Sequence, residues 1–295
     1  MDTPRTEPTE NARWCATLAC DSARGQVAAL MALLDRHGAY VEELAVFDDT
    51  GCGRFHVRCV LRFEADAPPD LPRLRAEYAA LLARFGHAEG TLQDLRRPAR
   101  VLLMVSKADH CLRDLLARWR RRELPMEIVG VASNHRDLEP LAAADGLPFH
   151  HLPVTAATKP QQEAALLALV EATRAEWVVL ARYMQVLSQD LCARLAGRVI
   201  NIHHSFLPGF KGARPYEQAH ERGVKLIGAT AHFATPDLDE GPIIEQAVER
   251  VDHAHTPAEL LNVGRHIESV VLARALQQVL KHRVFVNGRR TVVLR

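Results

Sequence analysis

The stretch Arg198–Pro215, RVINIHHSFLPGFKGARP, sets an amide, two imidazoles and a hydroxyl where an apolar run should leave a core. Side chains on a strand alternate faces, so Val199, Asn201 and His203 point one way and Ile200, Ile202 and His204 the other. Asn201 and His203 would then stand side by side, roughly 6 to 7 Å apart along the strand. Pro208, Gly209 and Gly212 break the chain into a loop. Downstream, GATAHFATPDLDEGPII repeats the pattern. Thr230 and His232 share a strand face there, and a loop bounded by Gly241–Pro242 carries Asp237, Asp239 and Glu240. An aspartate in such a loop can approach a neighbouring strand end. Asn201, His203 and Asp239 would thus combine a neutral donor, a titratable imidazole and a carboxylate, parts suited to attack on a carbonyl. An amide and an imidazolium stabilise the oxyanion of a tetrahedral intermediate. A carboxylate orients the imidazole and moves protons between water and a leaving group. No serine or cysteine nucleophile is needed if water or an amine attacks directly. The plainer alternative is a pair of hydrogen-bonded histidines at a loop edge.

A metal site is the competing chemistry, given His203, His204, His232, His253 and His255. Adjacent strand residues His203 and His204 face opposite ways and chelate one ion poorly. H-E-x-x-H is absent, and His253-x-His255 has no third ligand near it in the sequence, so no metal is expected. The first buried strand, from Val101, is followed by SKADHC rather than G-x-G-x-x-G, which disfavours a dinucleotide. G-K-[ST] and G-x-S-x-G are also absent, which weighs against P-loop NTPases and α/β-hydrolases. The expectation is an enzyme without a cofactor.

A chain of 295 residues suggests two domains. Its formal net charge of +1 argues against a nucleic-acid partner. The basic run RWRRRE, Arg118–Glu123, reads as the solvated end of a helix. No apolar run approaches the ~20 residues of a membrane span. Residues 1–11 lack the apolar core of a signal peptide and read as a disordered tail. The six cysteines form no C-x-x-C pair and read as buried free thiols in a reducing cytoplasm.

Two segments separate near LRRPAR, Leu95–Arg100. Before it the order is β-α-β-β-α-β: WCATLAC, QVAALMALLDRHG, AYVEELAVFDD, GRFHVRCVLRFE, LPRLRAEYAALLARFG and the weakly apolar EGTLQDL. That is a ferredoxin-like plait, expected over 12–95, with a regulatory or structural role. The first helix should bury Val27, Leu30, Met31 and Leu34. After it, over 96–295, continuous apolar runs such as RVLLMVS alternate with helical patterns. This predicts a Rossmann-like α/β domain with a mostly parallel sheet and helices on both faces. Near its end a long helix starts with Thr256 as N-cap, Pro257 at its first position and Glu259 completing a capping box. A hairpin around Asn287–Gly288 closes the chain.

INIHHSFLPGFKGA and DLDEGPIIEQ resemble the folate-dependent formyltransferase fold. More of the chain, including VSKADHCLRDLLARWR, FHHLPVT and LARYMQVLS, is similar in order and spacing to the 10-formyltetrahydrofolate deformylase family. The resemblance runs from Ala12 to Leu294. It implies hydrolysis of 10-formyltetrahydrofolate to tetrahydrofolate and formate, which supplies formate for one-carbon and purine metabolism. It carries the catalytic roles to Asn201, His203 and Asp239, and folate binding to Met184, Gln185, Val186 and Leu187. Thr230, His232 and His204 become supporting residues. The plait is similar to the family's ACT domain, which implies a cytoplasmic homo-oligomer and an amino-acid effector near Gly25. The first turn, DSARG, has Ser22 where the family carries Asp and Arg24 where it carries Pro, which counts against that effector. Two alternatives stay open: formyl transfer to an amine acceptor, and a non-enzymatic amino-acid sensor. SKADHC lacks the glycines that let backbone amides cradle an acceptor's phosphate, which favours water.

Overall fold

The period-2 alternation of β5 (Ala99–Val105) sorts its side chains between two cores, Val101, Leu103 and Val105 into one and Leu102 and Met104 into the other. A strand buried on both faces needs a helical layer on each side, which is why its sequence is a continuous apolar run. The computed structural model describes residues 12–64, 68–208 and 215–295. The expected tail at 1–11, and Gly209 and Gly212, lie outside the described residues. The chain divides into two compact units, one reaching to Arg97 and including Val292–Arg295, the other spanning Pro98–Thr291.

The first unit comprises β1 (Ala12–Asp21), α1 (Gln26–Arg36), β2 (Tyr40–Asp49), β3 (Arg54–Phe63), α2 (Leu71–Leu82) and β4 (Glu89–Asp94). Its four strands pair antiparallel in the order β2-β3-β1-β4. The β-α-β-β-α-β order matches the expectation from the sequence. The buried stripe of α1 differs from it: Leu30, Leu33 and Leu34 are inside, while Val27 and Met31 are only half-buried. The helix axis follows the Leu30–Leu34 side of the apolar face, so Leu33 displaces the flanking positions.

In the second unit β5 is followed by α3 (His110–Arg120), β6 (Met126–Ser133), α4 (Glu139–Ala143), β7 (Phe149–His151), α5 (Lys159–Thr173) and β8 (Trp177–Leu180). Then come α6 (Gln189–Arg194), β9 (Val199–His203), α7 (Pro215–Glu221), β10 (Leu226–Phe233), β11 (Ile243–Arg250) and α8 (Pro257–Leu280). The strands β12 (Val284–Asn287) and β13 (Arg290–Val293) form the terminal hairpin, with Gly288 at φ 63° in its turn. The seven-stranded sheet has the order β11-β10-β9-β8-β5-β6-β7. Its pairings are parallel from β9 through β7, and antiparallel where β10 joins β9 and β11. The sheet is therefore mostly parallel, with two reversed strands at one edge. That reversal sets β10 beside β9 with its exit toward the opposite end of the sheet, so the strand register decides which side chains meet.

Three further details bear on the expectations. The basic run after Ala117 is neutralised by carboxylates: Arg118 pairs with Asp114 and Glu123, and Arg120 with Asp145. Five cysteines are buried, whereas Cys52 is exposed in the β2–β3 turn. Among the described residues no helix is long and apolar enough to cross a membrane.

The capping box predicted at Thr256 and Glu259 is present, each side chain bonding the other's backbone N–H. It starts the helix that lies across the sheet near the strand ends described below. Thr256→Ala should lower unfolding stability by about 1 kcal/mol in urea titration while leaving the fold intact.

Candidate active site

The antiparallel register of β9 and β10 opposes Asn201 to His232 and His203 to Thr230. Directly opposed side chains on one sheet face lie close enough to touch. Asn201 Nδ2 accordingly sits 3.2 Å from His232 Nε2. The Nδ1 of His232 lies 2.9 Å from the carbonyl of Phe233. A carbonyl can only accept, so Nδ1 carries a proton and Nε2 is turned toward Asn201. The sequence expectation that Asn201 and His203 share a face agrees with the burial pattern, since Ile200 and Ile202 pack into the opposite core.

Asp239 reaches this strand pair from the loop after β10. His203 Nδ1 is 3.2 Å from its Oδ2, and His232 Nε2 is 3.6 Å from its Oδ1. Two backbone features put it there. Asp239 adopts φ 58°, a left-handed conformation that aspartate tolerates better than most residues. At Gly241 a Cβ would stand 1.7 Å from the Phe233 carbonyl oxygen, so only glycine lets the loop fold back on the end of β10. Phe233 N–H donates to the Pro242 carbonyl at 3.0 Å and locks that return. Burial opposes ionisation of Asp239, but hydrogen bonds and charge from His203 and His232 outweigh it. Its carboxyl is held well below the usual range. It is an anion with His203 Nδ1 against one oxygen and the His232 ring beside the other.

Asn201, His203 and Asp239 border one cavity of about 770 Å³, and His204 and His232 line it too. Met184, Gln185, Val186 and Leu187 form another part of its wall. The segment is pinned at both ends. Met184 N–H donates to Ser106 Oγ at 3.0 Å, and Ser188 N–H to Glu163 Oε1 at 2.8 Å. Met184 and Val186 nonetheless leave 56% and 54% of their surface exposed, which makes an apolar wall facing an open cleft. The cleft opens beyond the carboxyl ends of β8 and β9, where open parallel sheets place ligands.

One expectation changes. His204 does not face away from His203: β9 ends at His203, alternation stops there, and the two rings stack with centroids 5.0 Å apart. Thr230, expected as a supporting residue, stands outside the cavity lining. Its Oγ1 donates to the Ser205 carbonyl and accepts from Leu207 N–H and Gln246 Nε2, clamping the turn that leaves β9. Gly25, the expected effector position, caps α1 at φ 87° in the first unit.

Sequence reasoning missed Arg182, Tyr216, Glu268, His110 and Gln246. Glu268 carried a readable signal, a carboxylate on the apolar stripe of α8 between Ile267 and Val271. The others are brought in by tertiary contacts alone. His110, Cys111 and Glu268 offer ligand atoms within 4.8 Å of one another. Burial and the Glu268 charge keep Cys111 a thiol, and Glu268 is already occupied by His110, Tyr216 and the Arg182 cation, so this cluster is an ion-pair network in character.

The fold is of the formyl transferase class: the formyl transferase family model matches residues 99–276. A solved formyltetrahydrofolate deformylase from Burkholderia mallei superposes with a TM-score of 0.92 at 58% identity, covering 96% of this chain and all (100%) of that one. One from Pseudomonas putida gives 0.91 at 49%, covering 96% and 100%. The curated formyltetrahydrofolate deformylase of Corynebacterium sp. is 49% identical across 97% of this chain and 99% of its own. This chain belongs to the formyltetrahydrofolate deformylase family, as its sequence resemblance implied.

Gly241→Ala should displace the 237–242 loop and cut turnover more than 10-fold with little loss of fold, read by activity beside circular dichroism. The charge on Asp239 also has a stability consequence with a definite sign. A depressed folded-state pKa adds stability that is complete above the unfolded value of about 4 and is lost as pH falls below it. Urea midpoints of wild type and Asp239→Asn should therefore converge as pH is lowered from 5 to 3.

Proposed function

We propose that this protein hydrolyses 10-formyltetrahydrofolate to tetrahydrofolate and formate. The observation that carries the reading is the half-buried Asp239 anion, held by His203 with His232 and Asn201 beside it at the wall of the cleft. The apolar wall of Met184 and Val186 suits the flat pterin ring, with the segment's backbone available for its polar edge.

In this mechanism a water near Asp239 attacks the formyl carbon. A C–O bond forms, and the carbonyl π pair moves to oxygen. Asn201 Nδ2 and protonated His203 hold the resulting oxyanion, a stabilisation worth on the order of 10²-fold or more per donor. Asp239 accepts the proton of the attacking water and passes it to N10 as the C–N bond breaks. N10 leaves as the secondary amine, and the formic acid so formed gives its remaining proton, the second from the water, to solvent and departs as formate. His204, His232 and Thr230 support the reacting groups: Thr230 through the turn after β9, and His232 through Asn201.

Formyl transfer to an amine is the second enzyme reading. The turn after β5 speaks against it. Ser106 is bonded to Asn134 and Met184, so this hydroxyl is committed to bracing the cleft wall rather than to an acceptor's phosphate. The reading as a non-catalytic sensor has no comparable support. The first unit is read as an ACT-like regulatory and oligomerisation domain over 12–95, and 96–295 as the catalytic domain. Its edge strand β2 exposes Tyr40, Leu44, Val46 and Phe47, a surface suited to a second copy of the chain in a cytoplasmic homo-oligomer. Ser22 is bonded to Asp48, which leaves the DSARG turn poorly equipped to hold an amino-acid effector at Gly25.

The test is formate release in H₂¹⁸O with no amine present. Hydrolysis predicts formate carrying one ¹⁸O, at a rate that added amine acceptors leave unchanged. No formate without an acceptor, with turnover appearing once an amine is supplied, would instead establish a transferase.

A further inference from the structure

Arg182 holds φ 65° two residues past the end of β8, the strand that leads to the cleft wall. A long side chain is uncommon in that conformation, where glycine would sit without strain, so the guanidinium must be held in place by its surroundings. Its Nε lies 3.3 Å from Glu268 Oε2, and its Nη1 lies 2.6 Å from His204 Nδ1. Glu268 is 1% exposed and is also bonded by His110 Nε2 at 2.8 Å and by the Tyr216 hydroxyl at 2.7 Å. Burial opposes its ionisation, and these partners reverse that, leaving it an anion. At Gly264, one helical turn before Glu268, a Cβ would stand 2.0 Å from the Tyr216 hydroxyl oxygen, so the glycine is what lets Tyr216 reach the carboxylate.

Arg182, His204 and Tyr216 line the cleft; Glu268 and His110 do not. His204 is held between two rings, His203 at 5.0 Å and Tyr216 at 6.4 Å between centroids. A guanidinium can only donate, so His204 Nδ1 must be the acceptor and its neutral ring carries the proton on Nε2. A cation bonded at Nδ1 also disfavours a second positive charge on that ring. His203, by contrast, has the Asp239 carboxylate at its own Nδ1. The two stacked imidazoles are thus given opposite electrostatic partners.

We propose that Arg182, braced by Glu268, is a positioning residue for the reaction that acts through His204. It fixes the tautomer and plane of His204, and the stacked His204 fixes the orientation of His203 toward the formyl group. This rests on the hydrolytic reading given above.

A double-mutant cycle of Arg182→Gly with His204→Ala tests it, reading formate release beside thermal unfolding. Arg182→Gly relieves the left-handed backbone and should keep the fold. It should lower kcat by about 10- to 100-fold, the size of loss common when a group supporting a reactive residue is removed. In the His204→Ala background the same change should cost less than about 3-fold, because coupled residues are non-additive. Losses that multiply, or an Arg182→Gly enzyme within about 3-fold of wild type, would overturn the proposal. Should Arg182→Gly fail to fold, ¹⁵N-imidazole NMR of wild type, with His204 assigned by the signal missing in His204→Ala, decides. A proton on Nε2 supports the proposal, and one on Nδ1 contradicts it. Wild type that releases no formate would remove the hydrolytic reading itself, whereas an active wild type with multiplying losses removes only the role of Arg182.

Discussion

A half-buried carboxylate at the end of a sheet must be given enough opposing charge and hydrogen bonding to remain ionised, and this constraint organises the unit that holds the cleft. Desolvation alone would push Asp239 toward its neutral form. Two imidazoles reverse that, and they can do so only because they arrive from adjacent strands. His203 ends β9 and His232 lies on β10. The antiparallel pairing sets His232 opposite Asn201, so the ring that helps hold the carboxylate also borders the amide donor. A slip of one residue in that register would turn His232 into the core and bring an apolar neighbour to Asn201. The reversed edge of a mostly parallel sheet is therefore a functional feature of the fold.

The same logic recurs one layer back. Glu268 is a second ionised carboxylate, this one fully buried, held by Arg182, His110 and Tyr216. Burial and the Glu268 charge push the Tyr216 phenol up, so it stays a donor. The stacked pair of His203 and His204 joins the two anions into one electrostatic system. The Asp239 anion faces the His203 ring, and Glu268 reaches the His204 ring through Arg182.

Much of this was legible in the residues. Polar side chains at the exit of VINI marked a wall of the cleft, because an apolar strand has no packing reason to end in Asn and His. The Gly-Pro boundary after Asp239 marked a loop able to fold back, and Gly241 proved to be the contact that requires it. Strand alternation placed Asn201 and His203 together, then misled at His204, where the strand ends and the rule lapses. Arg182, Tyr216 and His110 were invisible because their roles depend on partners 22 to 158 positions away in the chain. The reversal of β10 was equally unreadable, since an apolar run carries no sign of its direction relative to its neighbours.

The central claim is that the Asp239 anion does the proton transfer while the apolar wall binds the folate. Measuring kcat and substrate affinity side by side for Asp239→Asn tests it most directly, because the amide keeps the shape and removes the charge. The account predicts that kcat falls by about 100-fold or more while the dissociation constant changes only a few-fold. Turnover close to wild type, or a loss confined to binding, would contradict it.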